Sequence, residues 1–180
     1  MTSIIVFAAI LALGLAGWFA ARAKARLLYT GRGSLHSMPG YHGWYMALWT
    51  VIPALLAWAL WNAIQPGLVE AVVLAQPIAA KLPAIDMDRN AVLAEAWTLL
   101  RDPGAGVFNP LANEFVEPLK AANLRYALIG GALALVLAFA GGAYGYTRVR
   151  AGFPARTKTE RAVMFALLLA SLIAILTTVG

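Results

Sequence analysis

The chain has no cysteine. Disulfides, thiolate metal centres, cysteine-ligated iron–sulfur clusters and a cysteine nucleophile are therefore excluded. Charge is scarce too, at 12% of 180 residues. Its placement matters more than its amount. Four stretches hold no Asp, Glu, Lys or Arg at all: Met1–Ala21, Trp44–Ile64, Tyr126–Thr147 and Ala162–Gly180. A bilayer-spanning helix needs about 20 mostly apolar residues at about 1.5 Å each, and all four runs meet or approach that length. With 62% hydrophobic residues, a soluble domain of this size could not hide its apolar surface. The composition predicts an all-α polytopic membrane protein with four transmembrane helices in two hairpins.

The first run is not expected to be a signal peptide. No basic residue precedes its apolar part, and Arg22, Lys24 and Arg26 follow it instead. Its apolar part is also longer than a signal h-region. It is expected to be an uncleaved first span.

The net charge of +6 invites a nucleic-acid reading. However, the basic residues flank apolar spans and form no soluble patch, so no nucleic-acid partner is expected. They report orientation instead. The first short connection carries Arg22, Lys24, Arg26 and Arg32 without an acid. The last carries Arg148, Arg150, Arg156, Lys158 and Arg161 against Glu160 alone. Seven of the eight acids fall in the long middle segment: Glu70, Asp86, Asp88, Glu95, Asp102, Glu114 and Glu117. Short basic loops stay in the cytoplasm. Both termini and the middle segment are then expected outside a bacterial inner membrane. Trp18, Phe19, Trp44, Tyr45, Trp58, Trp61, Tyr144 and Tyr146 lie near span ends, as aromatic belts do.

This divides the chain into three parts. Residues 1–64 form a first hairpin, 65–124 an extracytoplasmic segment and 125–180 a second hairpin. Within the middle part, Leu68, Val72 and Ala75 predict a short amphipathic helix before Pro77. Val92, Leu93, Ala96, Trp97 and Leu100 share a second helical face, with Asp88 as N-cap candidate. Asp102-Pro103-Gly104 reads as a turn. Phe108, Leu111, Phe115 and Leu119 predict a further helical piece, interrupted by Pro118. Together these read as a helical cap.

Small residues recur every four positions in three spans. The first span has Ala8, Ala12, Ala16 and Ala20. The third has Gly130, Ala134, Ala138 and Gly142, with Gly141 and Gly145 in GxxxG spacing. The fourth has Ala162, Ala166, Ala170, Ala174 and Thr178. Such ridges let helix backbones approach closely within lipid. Pro53 should kink the second span.

Chemistry-bearing groups are few. No span holds an ionisable acid or base; Thr50, Asn62, Ser171 and Thr177 are the most polar residues at depth. That argues against a pathway for a charged solute through these helices alone. His36 and His42 are the only histidines. They lie beside the first basic loop, six residues apart and without acids nearby. This is a poor haem or metal pair. Ser34, Ser37 and His36 lack an orienting acid. There is no P-loop, GxSxG or HExxH. No catalytic, cofactor-binding or metal-ligating residue is assigned, no cofactor is expected, and the chain is read as a non-enzyme.

The most distinctive stretch runs Gly31-Arg32-Gly33-Ser34-Leu35-His36-Ser37-Met38-Pro39-Gly40-Tyr41-His42-Gly43-Trp44-Tyr45-Met46-Ala47-Leu48-Trp49, then through Pro53 to Trp61. Met38-Pro39-Gly40 makes a tight turn, and the aromatics after it anchor a helix entering from the headgroups. This stretch resembles the N-terminal extension of the C-type permease subunit of bacterial phosphate-specific ABC importers. A second resemblance covers Arg156-Thr157-Lys158-Thr159-Glu160-Arg161 and the run Leu172–Gly180. The resemblance extends over nearly the whole chain in layout, but only these two segments are specific. It implies a non-catalytic membrane region that scaffolds the transport core. The implied partners are the lipid bilayer, the permease core, the second permease subunit, the ATP-binding subunit through the complex and a periplasmic phosphate-binding protein. The permease core itself is absent. The chain is therefore expected to be a fragment or truncated product, with a stand-alone subunit as the alternative. The rival reading is a small membrane accessory or assembly protein that binds partner helices.

Overall fold

The computed structural model describes residues 2–29 and 37–179, with the side chains of 2, 29, 169, 170, 173 and 176–179 outside the description. The described chain is helical and without strands. Five α-helices follow one another: α1 Thr2–Tyr29, α2 Pro39–Leu74, α3 Asp86–Arg101, α4 Pro110–Thr147 and α5 Ala155–Val179. A short 3-10 helix, Pro77–Lys81, precedes α3. Three helices, α1, α2 and α4, are long and apolar enough to cross a membrane.

Two long helices replace shorter pieces expected from the sequence. The run carrying Leu68 and Val72 is not a separate helix; it continues α2 through Pro66 to Leu74, and Ala75 lies just beyond. The run Leu111–Leu119 likewise continues into the third predicted span, with Pro118 inside α4. A proline costs its helix one backbone hydrogen bond and crowds the carbonyl four residues back. Here tertiary packing on both sides of each proline outweighs that local cost.

The chain divides into two compact units. One contains residues 58–132 and draws on the C-terminal part of α2, the 3-10 helix, α3 and the N-terminal part of α4. Its core is made by Val69 and Val73 from α2, Val92, Leu93, Ala96 and Leu99 from α3, and Ala112, Phe115, Leu119 and Ala122 from α4. Trp97 and Leu100 pack on it partly buried. Burying a large apolar side chain of this kind contributes about 1.5–3 kcal/mol.

Polar bonds fix the ends of this bundle. The Glu95 carboxylate accepts from the Asn109 N–H at 3.1 Å and from the Phe108 N–H. Asn109 then caps α4, its Oδ1 accepting from the Leu111 N–H at 3.0 Å, with Pro110 at the first helical position. Asp102 makes the expected turn, accepting from the Gly104 N–H at 3.1 Å. Asp88 does not cap α3; the cap is Ile85, and Asp86 and Asp88 lie in the first turn, where a negative charge suits the helix dipole. Trp97 Nε1 donates to Glu70 at 2.8 Å, Gln65 to Asn123 Oδ1 at 2.7 Å, and Lys81 pairs with Glu114. In this unit Gly130 lies under Trp61, whose Nε1 donates to the Tyr126 carbonyl at 2.9 Å.

The other unit contains residues 3–57 and 133–180. A close backbone approach joins α2 to α4. Pro53 has no N–H to give the Trp49 carbonyl one turn back. Gly141 sits against that carbonyl: a Cβ at Gly141 would lie 2.0 Å from Trp49 O. One turn further, a Cβ on Gly145 would lie 3.0 Å from Met46 Cα. Ala134, Ala138, Gly142 and Gly145 are buried along this face.

The first span's alanine ridge behaves differently. Ala8, Ala12, Ala16 and Ala20 are all exposed. The buried face of α1 is Ile10, Gly14, Gly17, Ala21 and Ala25. Gly14 faces Val51, where a Cβ would come within 2.3 Å of Cγ2. In α5, Ala162 and Ala166 are half-buried and Ala174 is exposed; Ala170 and Thr178 fall outside the described side chains.

Gly141→Ala should lower stability by about 1–3 kcal/mol, because the new methyl meets backbone that cannot move aside. Ala12→Leu, on the exposed stripe, should change it by under about 0.5 kcal/mol. Thermal midpoints in detergent distinguish the two, and equal midpoints would remove the α2–α4 contact from the stability argument.

Candidate functional site

The two segments most distinctive in sequence meet in space. Ser37–Tyr45 enters and opens α2; Arg156–Thr159 lies in the first turns of α5, reached from α4 through residues 148–154. That connection must reverse direction within a few residues. Gly152 does so at φ 82, a left-handed conformation that other residues rarely adopt. Phe153 then turns inward and is 8% exposed, and Ala155 is fully buried.

Five contacts clasp the segments together. The Arg156 N–H donates to Ser37 Oγ at 3.2 Å. This satisfies one of the first amides of α5, which have no partner within their own helix. Thr159 Oγ1 donates to the Tyr41 carbonyl at 3.3 Å. The Phe153 ring meets Tyr45 edge-on at 4.9 Å and lies 6.0 Å from His42. The Arg156 guanidinium stands 5.9 Å from the Tyr41 ring and donates to Glu160 at 2.8 Å. That bond raises the Arg156 pKa above its ordinary value.

The basic residues beside the clasp have specific seats. Lys24 Nζ donates to the Tyr146 carbonyl at 3.1 Å and stands 4.1 Å from that residue's ring. A cation there complements the C-terminal end of α4. Arg148 lies 4.9 Å from the Tyr144 ring and Arg22 4.8 Å from that of Trp18. Val149 is buried with Ala21 and Ala25, joining α1 to the same connection.

His42 is 1% exposed, and neither ring nitrogen has a hydrogen-bond partner. It is not joined to Ser37, whose Oγ is occupied by the Arg156 amide. Ser34 and His36 lie outside the described residues. Among the described residues, no group of three His, Cys, Asp or Glu side chains is placed to hold a metal. The polar residues at depth turn back on their own helix. Thr50 Oγ1 donates to the Met46 carbonyl at 2.9 Å, and Asn62 Nδ2 to that of Trp58 at 2.7 Å. Ser171 is exposed, and the Thr177 side chain lies outside the description.

The arrangement is thus a mechanical joint, built from one helix-end bond, one hydroxyl bond and an aromatic cluster. Sequence reasoning found its two halves but not their pairing. It also passed over Phe153, whose only sequence signal is an aromatic between Gly152 and Pro154 in a basic loop.

A buried ring with unmet nitrogens costs about 1–3 kcal/mol. His42→Leu, which keeps most of the volume, should leave the thermal midpoint unchanged or raise it. A fall worth more than about 1 kcal/mol would mean that the ring nitrogens are satisfied in the native state.

A family model described as phosphate ATP-binding cassette transporter matches residues 7–177. No curated protein and no solved structure gives a significant match.

Proposed function

Since the chain belongs to the phosphate ATP-binding cassette transporter family, we propose that it is a non-catalytic membrane region of an importer permease that scaffolds the transport core. The observation that carries this reading is the clasp. The two segments that resemble the permease contribute Ser37, Tyr41, Arg156 and Thr159, which hold α2 and α5 together, and Phe153 from the connection before the second segment adds its ring beside Tyr45. Their side chains are spent on joining helices, which is what a scaffold requires.

In this reading α5 is a fourth span. It is helical over Ala155–Val179, and its sequence from Ala162 onward carries no ionisable side chain. Large apolar residues such as Leu60, Val136, Phe139, Phe165 and Leu168 are exposed on their helices, as lipid contact demands. The basic connections lie in the cytoplasm of a bacterial cell, and residues 65–124 form a helical cap outside. Residues 1–64 and 125–180 are the two hairpins. The partners are the permease core, the second permease subunit, the ATP-binding subunit through the complex, and the phosphate-binding protein at the cap.

Orientation is open to direct test, because the chain has no native cysteine. Asn90 and Thr157 are both exposed. A single cysteine at Asn90 should react with a membrane-impermeant thiol reagent in intact spheroplasts, and one at Thr157 should react only after permeabilisation. Labelling of Thr157 in intact cells would invert the topology.

The scaffold role predicts what the purified chain does not do. It should neither hydrolyse ATP nor bind inorganic phosphate in titration calorimetry. It has no nucleotide-binding loop, and the attraction of its loop cations for free phosphate is screened over about 8 Å at physiological salt. It should co-purify with the remaining permease expressed as a separate chain. Saturable micromolar phosphate binding would overturn the scaffold reading; a folded chain that fails the pull-down would favour the accessory protein.

A further inference from the structure

Trp44 stands where three cavities meet. The first, about 600 Å³, is lined by Arg22, Arg26 and Tyr41 together with the opening of α2. The second, about 410 Å³, runs between α1 and α2 past Leu11, Leu15 and Val51. The third, about 570 Å³, runs between α2 and α5 past Val163, Met164 and Leu167. Trp44 lines all three, and Leu48 lines both grooves.

The chemistry of the three differs. Arg22 and Arg26 are one helical turn apart on α1, and none of the ion pairs among the described residues uses them. Their cavity carries uncompensated positive charge. The α1–α2 groove is lined only by apolar side chains and Gly14. The α2–α5 groove is apolar except at Tyr41, Thr159 and Glu160. Thr159 is bonded to the Tyr41 carbonyl and Glu160 to Arg156, so neither presents a free charge. From Trp44 to Val51 α2 rises about 10 Å, enough to follow the upper half of an acyl chain.

We propose that this is a binding site for one acidic glycerophospholipid, its phosphodiester held by Arg22 and Arg26 and its two acyl chains parted by Trp44 and Leu48 into the two grooves. The charge of the first cavity selects the headgroup. The forked apolar grooves select a two-chain lipid over a free anion. The site rests on the membrane reading above but not on the scaffold role. A lipid so placed would bridge α1, α2 and α5 beside the clasp.

The test uses the whole chain in detergent, with native mass spectrometry counting bound lipid. The probes are phosphatidylglycerol and phosphatidylcholine of identical acyl chains, lysophosphatidylglycerol and inorganic phosphate. Diacyl phosphatidylglycerol should bind about tenfold more tightly than phosphatidylcholine, as expected for two arginines facing an acidic headgroup, and more tightly than its one-chain form. Arg26→Gln, at an exposed position, should lower that preference, and R22Q/R26Q should abolish it. R22K/R26K should retain most of it, and Arg150→Gln, on the other basic connection, should retain all of it. Thermal midpoints identify any variant that fails to fold, in which case the lipid comparison on the unsubstituted chain and Arg26→Gln decides. Equal affinity for the two diacyl lipids, or a preference unaffected by Arg26→Gln, would overturn the site. So would binding of inorganic phosphate that the lipid cannot displace, and that result would also count against the scaffold reading. Nonselective lipid binding alone would leave the scaffold reading intact.

Discussion

The contact between Gly141 and the Trp49 carbonyl governs how α2 and α4 pack in their unit. Pro53 deprives that carbonyl of its usual helical donor. A bare glycine on α4 then lets the second backbone press against it, at a spacing that no side chain could occupy. Gly145 repeats the approach against Met46 one turn further along. In lipid, where burial of apolar surface drives little association, such backbone proximity is a principal source of packing energy. The α2–α4 approach sets the positions from which Tyr45 and the α4–α5 connection meet.

That connection converts packing into a joint. Gly152 reverses the chain, Phe153 wedges beside Tyr45, and the Arg156 amide in the first turn of α5 is satisfied by Ser37 from the opposite connection. Lys24 binds the end of α4 from α1. Residues that the charge pattern marks as orientation signals therefore also serve as helix-end partners and as cations on aromatic faces. The same economy appears in the other unit, where Glu95 holds two amides ahead of α4 and Asn109 caps the helix.

Much of this was legible in the chain. The helical class and the three helices long and apolar enough to cross a membrane follow from uninterrupted apolar length, which is a local property. The α3 core face was read correctly at Val92, Leu93 and Ala96, because helical periodicity needs no knowledge of the partner. The Asp102 turn was legible for the same reason. The joint was legible only as two separate motifs. Ser37 and Arg156 are 119 residues apart, and no periodicity links them. His42 was placed beside a loop, whereas the structure buries it under Phe153.

By itself the sequence determined the helical class, the four uncharged runs, the split between basic connections and an acidic middle, and the family resemblance. All of these reside in consecutive residues. Only the tertiary structure decided which stripe of α1 would pack. Ala8–Ala20 and Gly14–Ala25 both carry small residues at helical spacing, and composition cannot rank them. Val51 and Met46 fit the glycines, and the alanines are left exposed. Tertiary structure likewise carried α2 through Pro66 and α4 through Pro118. The local cost of a proline is fixed by the residue, but whether a helix bears it depends on what its flanks bury.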